Sequence, residues 1–368
     1  MMKKGYRLLG EFIRQVDVRN TEGKEENLLG VSVQKQFIPS IANTVGTDFT
    51  KYKVVRKGQF TYIPDTSRRG DKIGIALLED YDEGLVSNVY TVFEVIDEKQ
   101  LMPEYLMLWF SRPEFDRYAR FKSHGSVREV MDWDEMCKVE LPVPSIEKQR
   151  SIVKAYKTIT DRIALKKRIN DNLAATAQAI YRKTFVDDID AANLPENWHF
   201  SALGDVANLS AGGDRPAVFS DFQTESCPVP IFSNGIEDEG LYGFTDKAKI
   251  CEESVTVSAR GTVGYVFLRE EPYVPIVRLI SVVPNKVYVT AKYLYFALSS
   301  IDLHSTGTSQ QQITVPDFKK RQILVPCNSA MADFISNVEP LFAYIKQNKA
   351  EIRTLSALQN NFLAILSR

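Results

Sequence analysis

The sequence is poor in the residues that announce chemistry. Its 368 residues include four cysteines, three histidines and three tryptophans. Cys137, Cys227, Cys251 and Cys327 lie far apart and none forms a C-x-x-C pair, which argues against a zinc site and for reduced thiols. His124, His199 and His304 are isolated, with no carboxylate or cysteine at ligand spacing. There is no G-x-x-x-x-G-K-[ST] phosphate cradle, no Gly-rich dinucleotide turn, and no Asn-Pro-Pro-aromatic or Asp-Pro-Pro-aromatic run of the kind amino-methyltransferases carry. The carboxylates form no nuclease-like cluster. The expectation is a chain with no catalytic residue, no metal and no cofactor of its own. Lys3 and Lys4 have no apolar run behind them, and no stretch approaches the roughly 18 apolar residues of a spanning helix, so a cytoplasmic protein without a membrane partner is expected.

An excess of charge is missing too. The net charge is −1, which is not the signature of a protein that binds nucleic acid through bulk electrostatics. The halves differ: residues 1–184 hold 31 basic against 26 acidic side chains, and the remainder 15 against 21. Any DNA contact must therefore come from a local basic face or from a partner that supplies phosphate contacts. At 44% hydrophobic and 25% charged, the composition is that of a globular protein, and the length suits two domains.

What the sequence does have is a repeat. An apolar series runs Ile152, Tyr156, Ile159, Ile163, then Lys166, Asn170, Leu173, Ala177 and Ile180. A second runs Phe334, Val338, Leu341, Ile345, then Asn348, Ile352, Leu355, Gln359 and Phe362. Both step alternately by four and three residues, the heptad seam of two long helices that pack as a coiled coil; each is also compatible with an amphipathic helix lying on its own domain. The polar seam positions Lys166, Asn170 and Asn348 fix register or mark a solvated gap, and Pro340 starts or kinks the second helix. Every seam pair is 182 residues apart, as are Val143-Pro144 and Val325-Pro326, and Gly125-Ser126 and Gly307-Thr308. Upstream the offset drifts, to 188 for Tyr105-Leu106 and Tyr293-Leu294 and 194 for Leu9-Gly10-Glu11 and Leu203-Gly204-Asp205, which reads as loop insertions between shared elements. The expected fold class is α+β. Two similar mixed α/β globules, at 1–145 and within 187–328 after an acidic linker, alternate with helices at 146–186 and 329–368 that pair as an antiparallel coiled coil.

Certain loops suit DNA. Arg68, Arg69 and Lys72 flank Gly70 after a strand-like run, and Arg260 and Thr262 flank Gly261 at a comparable place in the second globule. Ser126 and Arg128 in one half match Thr308, Ser309, Gln310 and Gln311 in the other. Arginine can pair with guanine edges at two points, and either cation can neutralise phosphate. Taken singly, each loop is equally well a solvated turn; recurrence at matched places is what favours contact.

In this arrangement the chain resembles the specificity (S) subunit of type I restriction–modification enzymes. The run Leu141-Pro142-Val143-Pro144-Ser145-Ile146-Glu147-Lys148-Gln149-Arg150 is similar to that family's start of its first conserved helix, and Gly261-Thr262-Val263-Gly264 and Gly307-Thr308-Ser309-Gln310 to pieces of its target-recognition domains. Asn328-Ser329-Ala330-Met331-Ala332 departs from the Glu-x-Gln pattern expected at the second helix. The resemblance implies a non-catalytic subunit that reads a bipartite, asymmetric double-stranded DNA target, one half-site per recognition domain. It implies two methylation subunits as partners, which bring S-adenosylmethionine, and up to two restriction subunits, which bring ATP and Mg. A seam of 29 residues spans about 43 Å at roughly 1.5 Å per residue, against about 34–36 Å for one turn of DNA. The rival readings are a coiled-coil adaptor whose globules bind protein or carbohydrate, and a methyltransferase in its own right.

Overall fold

Short β-branched and aromatic runs between turn residues make the strands of each globule, and the computed structural model describes residues 5–41, 46–66, 72–123, 129–301 and 312–366. The chain divides into two compact units, Met1–Lys167 with Ala350–Arg368, and Arg168–Lys349. Each therefore contains a globule together with the stretches of both long helices that pack on it.

In the first unit a four-stranded antiparallel sheet has the order Ile13–Val16, Thr91–Val95, Phe60–Tyr62, Ile75–Leu77. In the second the order is Ala207–Ala211, Ile280–Pro284, Ser254–Val257, Val266–Arg269. Registers match as well as orders. Gln15 faces Phe93 and Phe60 faces Leu77 in one sheet; Leu209 faces Val282 and Val255 faces Leu268 in the other. The helix Pro103–Phe110 corresponds to Ala291–Ser299, and the short helix Trp133–Cys137 to Val315–Lys319. Asp132 and Thr314 cap these short helices by accepting the Glu135 and Asp317 amides, one orphan donor satisfied in each case. The tandem repeat read from the offsets is thus built in three dimensions, and both globules are mixed α/β.

Each globule is closed by a two-stranded ribbon between its first and last segments. Tyr6–Leu8 pairs with Glu140–Pro142, and His199–Ala202 with Gln322–Val325. The Leu9 amide then donates to the Val139 carbonyl, and the Leu203 amide to the Arg321 carbonyl, both at 2.8 Å. A buried tyrosine fastens each ribbon: Tyr105 Oη donates to Pro142 O and Tyr293 Oη to Leu324 O. Burial pushes both phenols up, Tyr105 to about 12, so each stays a neutral donor. What differs lies outside this frame. The first globule adds a hairpin, Leu29–Val31 with Phe37–Pro39, and the second a three-stranded sheet of Val229–Phe232, Leu241–Thr245 and Val274–Pro275.

The helices Ile146–Phe185 and Asn328–Ile365 run in opposite directions wherever they meet within a unit. In the first unit Tyr156 packs on Phe362 at 5.9 Å between rings, Gln359 Nε2 donates to Thr160 Oγ1, and Glu351 receives Arg162 and Lys166. In the second unit Asn348 Nδ2 donates to Asn170 Oδ1 at 2.8 Å. Ile152, Tyr156, Ile159, Ile163, Leu173, Ile180, Leu341, Ile345, Ile352, Leu355 and Phe362 are half-buried, and Ala177, Phe334 and Val338 fully buried. Tyr181, Phe185, Phe342 and Leu363, off the heptad series, are also buried, because both helices double as walls of a globule. Tyr181 stacks on Phe296 at 5.5 Å, and Phe185 and Phe334 meet Tyr293 edge-on. Ile152 and Val153 pack in the same way on the first core. Pro340 lies inside its helix, twelve residues past the start.

The two globules fasten their long helices by different chemistry. Met102, before the helix Pro103–Phe110, has no capping side chain, and its own amide is taken by buried Gln149 from the long helix. Its Oε1 accepts the Met102 amide at 2.9 Å while Nε2 donates to Gln100 O and Pro144 O. In the second globule Thr290 caps its own helix through the Tyr293 amide, and Met331 stands where Gln149 would, its sulfur 3.8 Å from Thr290 Oγ1. The departure at Met331 is thereby compensated at Thr290. Gln149→Met is expected to lower stability by about 2 kcal/mol, because three backbone groups lose their partner. Adding Met102→Thr should restore about 1 kcal/mol through a self-supplied cap. Urea midpoints of the two single variants and the double variant check this, and a double variant no more stable than Gln149→Met alone would contradict it.

Candidate nucleic-acid interface

Of the eleven side chains expected to reach DNA, Arg68, Arg69, Ser126, Arg128, Thr308, Ser309, Gln310 and Gln311 lie outside the described residues. Hydrogen bonds fix the stems that lead into them. In the first globule Thr66 precedes one such segment and Glu129 follows the other, and the Thr66 amide and hydroxyl both donate to the Glu129 carbonyl, at 2.9 and 3.1 Å. Just inside them Asp65 bridges Val130, and the Met131 amide donates to Pro64 O at 3.0 Å. The fold thus brings together the start of the Arg68-Arg69 segment and the end of the Ser126-Arg128 segment, sixty-three residues apart in sequence.

The second globule repeats the arrangement. The Ile313 amide donates to Ala259 O at 3.1 Å, the counterpart of Met131 on Pro64. Ala259 precedes Arg260, and Ile313 follows the Thr308–Gln311 segment. Arg260 is exposed, on a loop whose turn is set by Gly261 at φ +71°, a left-handed value that side-chain-bearing residues rarely adopt. Thr262 is half-buried and turns its hydroxyl inward to the Asn234 carbonyl, so its hydrogen bond holds the loop. Asn234 Oδ1 also accepts the Ala259 amide at 2.8 Å. Nothing local in the sequence pointed to Asn234, since Asn234-Gly235 reads as a plain turn.

Lys72 is exposed at the C-terminal end of the first globule's arginine segment. Its neighbour Ile73 is buried and donates its amide to Asp116 Oδ1 at 3.2 Å. The same oxygen receives Lys35 Nζ at 2.7 Å, and Lys35 also donates to Phe110 O at 2.6 Å, at the end of a helix where a cation is favoured. Both side chains are about nine-tenths buried. Desolvation lowers the Lys35 pKa, with Asp116 opposing that shift and the Lys72 charge adding to it. Lys35 and Asp116 were missed from sequence because they lie eighty-one residues apart. Their role is to anchor the stem that ends at Lys72.

Cations near the stems are partly neutralised: Arg120 lies 3.4 Å from Glu129, and Lys122 3.5 Å from Glu135. Among the described residues no group of three His, Cys, Asp or Glu could hold a metal ion, and no helix is long and apolar enough to cross a membrane. All four cysteines are free.

Comparison with known proteins gives a consistent assignment. The model of the type I restriction modification DNA specificity domain matches twice, at residues 12–175 and 195–354, once per globule with its helix. A putative type I specificity subunit of Mycoplasma pneumoniae is 33% identical over 157 residues, covering 42% of this chain and 47% of that protein. A second from the same organism is 34% identical over 157 residues, covering 42% of each. The chain therefore aligns with less than half the length of these two relatives. The MjaIX type I restriction enzyme specificity subunit of Methanocaldococcus jannaschii is 23% identical over 298 residues, covering 73% of this chain and 69% of that one. The crystal structure of a type I restriction–modification S subunit from M. genitalium matches in fold with a TM-score of 0.61 at 14% identity, over 99% of this chain and 96% of that chain.

The anchoring ion pair can be tested directly. Lys35→Met leaves Asp116 buried and uncompensated, and is expected to cost about 3–5 kcal/mol. The pair Lys35→Met with Asp116→Asn removes both charges and keeps an acceptor for Ile73, so it should cost less than Lys35→Met alone. Urea unfolding of the three proteins measures the difference. A double variant as unstable as the sum of its parts would remove the ion pair from the account.

Proposed function

The chain belongs to the family of type I restriction–modification DNA specificity domains, and on that premise we propose that it is the specificity subunit of such a complex, a non-catalytic protein that reads a bipartite, asymmetric DNA target. Each globule reads one half-site. The observation that carries this reading is the pairing of loop stems: Thr66 with Glu129 and Ala259 with Ile313 join the ends of two matched loops on one frame, twice. The frames are alike while the segments differ, as a protein needs when it makes two equivalent approaches to DNA and reads different bases in each.

In this proposal the long helices form an antiparallel coiled coil that acts as a spacer, the Asn170–Asn348 hydrogen bond specifying its register. Its pseudo-repeated surface offers two equivalent seats for two methylation subunits. Those subunits bring S-adenosylmethionine and methylate adenine, and restriction subunits, where present, bring ATP and Mg. The near-neutral charge fits a division of labour in which base contacts come from this chain and much of the phosphate neutralisation from its partners.

Methylome sequencing of a host with and without the gene for this chain tests the proposal. The expected result is loss of one split, adenine-methylated motif with unequal halves, restored by the intact chain. Complementation with Arg260→Ala should relax one half of that motif and leave the other unchanged. An unaltered methylome on deletion contradicts the proposal and favours an adaptor.

A further inference from the structure

The turn Val277-Arg278 carries a cation that no loop motif flags. Both residues have left-handed backbone, at φ 51° and 61°, and for a β-branched residue such as Val277 this region is a true outlier. The conformation persists because almost every backbone group of the turn is tied down. The amides of Ile276, Val277, Arg278 and Leu279 donate to Phe232 O, Gly213 O, Gly212 O and Ile276 O, and the Leu279 carbonyl accepts the Gly212 amide. Gly212 makes this possible, since a Cβ there would sit within 2.9 Å of Pro275 and Ile276 backbone atoms.

The last restraint comes from Asn234, whose Nδ2 donates to the Val277 carbonyl at 2.6 Å. Its Oδ1 and its carbonyl hold Ala259 and Thr262, so one side chain and its backbone fasten the Arg260 loop and the Arg278 turn together. The core has no need of this strain, because Val277 and Arg278 are both exposed. Arg278 has no ion pair among the described residues, unlike buried Arg269, which reaches Glu239 at 3.6 Å. The corresponding turn of the first globule, Asn88-Val89, closes with the same hydrogen bond, Tyr90 to Ser87, but has no positive φ and no arginine. Strain without a structural beneficiary, present in one repeat only, marks a functional residue.

We propose that Arg278 is a DNA-contacting residue of the second globule, its backbone fastened to the Arg260 loop through Asn234, and that it helps to make the two half-sites different; this rests on the specificity-subunit reading above. A turn whose backbone is already fixed need not be ordered on binding, and the guanidinium it carries can engage either a guanine edge or a phosphate.

The test uses the full chain assembled with its methylation subunits and a duplex carrying the motif found by methylome sequencing. Affinity is measured from low to high salt for wild type, Arg278→Ala, Arg278→Lys and Lys286→Ala, the last a matched charge removal at the opposite end of the same strand. A guanine contact predicts at least a tenfold loss of cognate binding for Arg278→Ala, little change on unrelated duplex, no rescue by Arg278→Lys, and one relaxed position in the second half-site. A phosphate contact predicts a similar weakening on both duplexes, a salt slope smaller by about 1, and rescue by Arg278→Lys. Either result supports the proposal. Arg278→Ala within twofold of wild type and of Lys286→Ala at every salt concentration, with an unchanged motif, overturns it. A wild-type complex that prefers no duplex would instead overturn the specificity reading itself.

Discussion

Each globule depends on one constraint, that its first strand hydrogen-bonds to its last. The amide of Leu9 on Val139, and of Leu203 on Arg321, brings the two ends of each globule to one place immediately before a long helix. A domain whose ends meet can be carried as a closed insert in a helical frame, and its remaining loops can change without disturbing the junction. That is why the repeat survives in strand order, register and capping while the offset between repeats drifts from 194 to 182 along the chain. The drift falls between the shared elements, its last six residues across the stretch that holds the helix Pro113–Lys122.

The same geometry is reached by unlike chemistry, which argues that geometry is what matters. Gln149 satisfies three backbone groups in the first globule, whereas Thr290 satisfies its own helix in the second and leaves the site free for the apolar Met331. In each unit the long helix is then held by side chains of both the other helix and the globule. Tyr181, Phe185 and Phe334 close one core around Tyr293 and Phe296, and Ile152 and Val153 lie against the other.

The strongly periodic parts of this architecture were readable from sequence. The alternating four–three spacing located both long helices, and constant offsets located the repeat, because periodicity and order survive the loss of identity. Tyr181, Phe185 and Phe342 escaped the heptad pattern because a helix that also faces a globule buries a second stripe, which a single seam does not describe. Among the candidate residues, exposed Arg260 and Lys72 were named from composition and turn residues. Asn234, Lys35, Asp116 and Arg278 were not, since their roles come from contacts across dozens of residues or from a left-handed turn lacking glycine. Thr262 is among the residues expected to contact DNA, and in the fold its hydroxyl donates to the Asn234 carbonyl.

The account stands on each globule being a self-closed reader of its own half-site. The most direct measurement replaces residues 9–139 with residues 203–321, joining at the paired strands so that both positions carry the second globule. The methylome of a host expressing this chain together with the methylation subunits proposed for it is then sequenced. The account predicts a symmetric motif, the second half-site in two inverted copies. Retention of the original asymmetric motif, or a new motif whose halves differ, would contradict it.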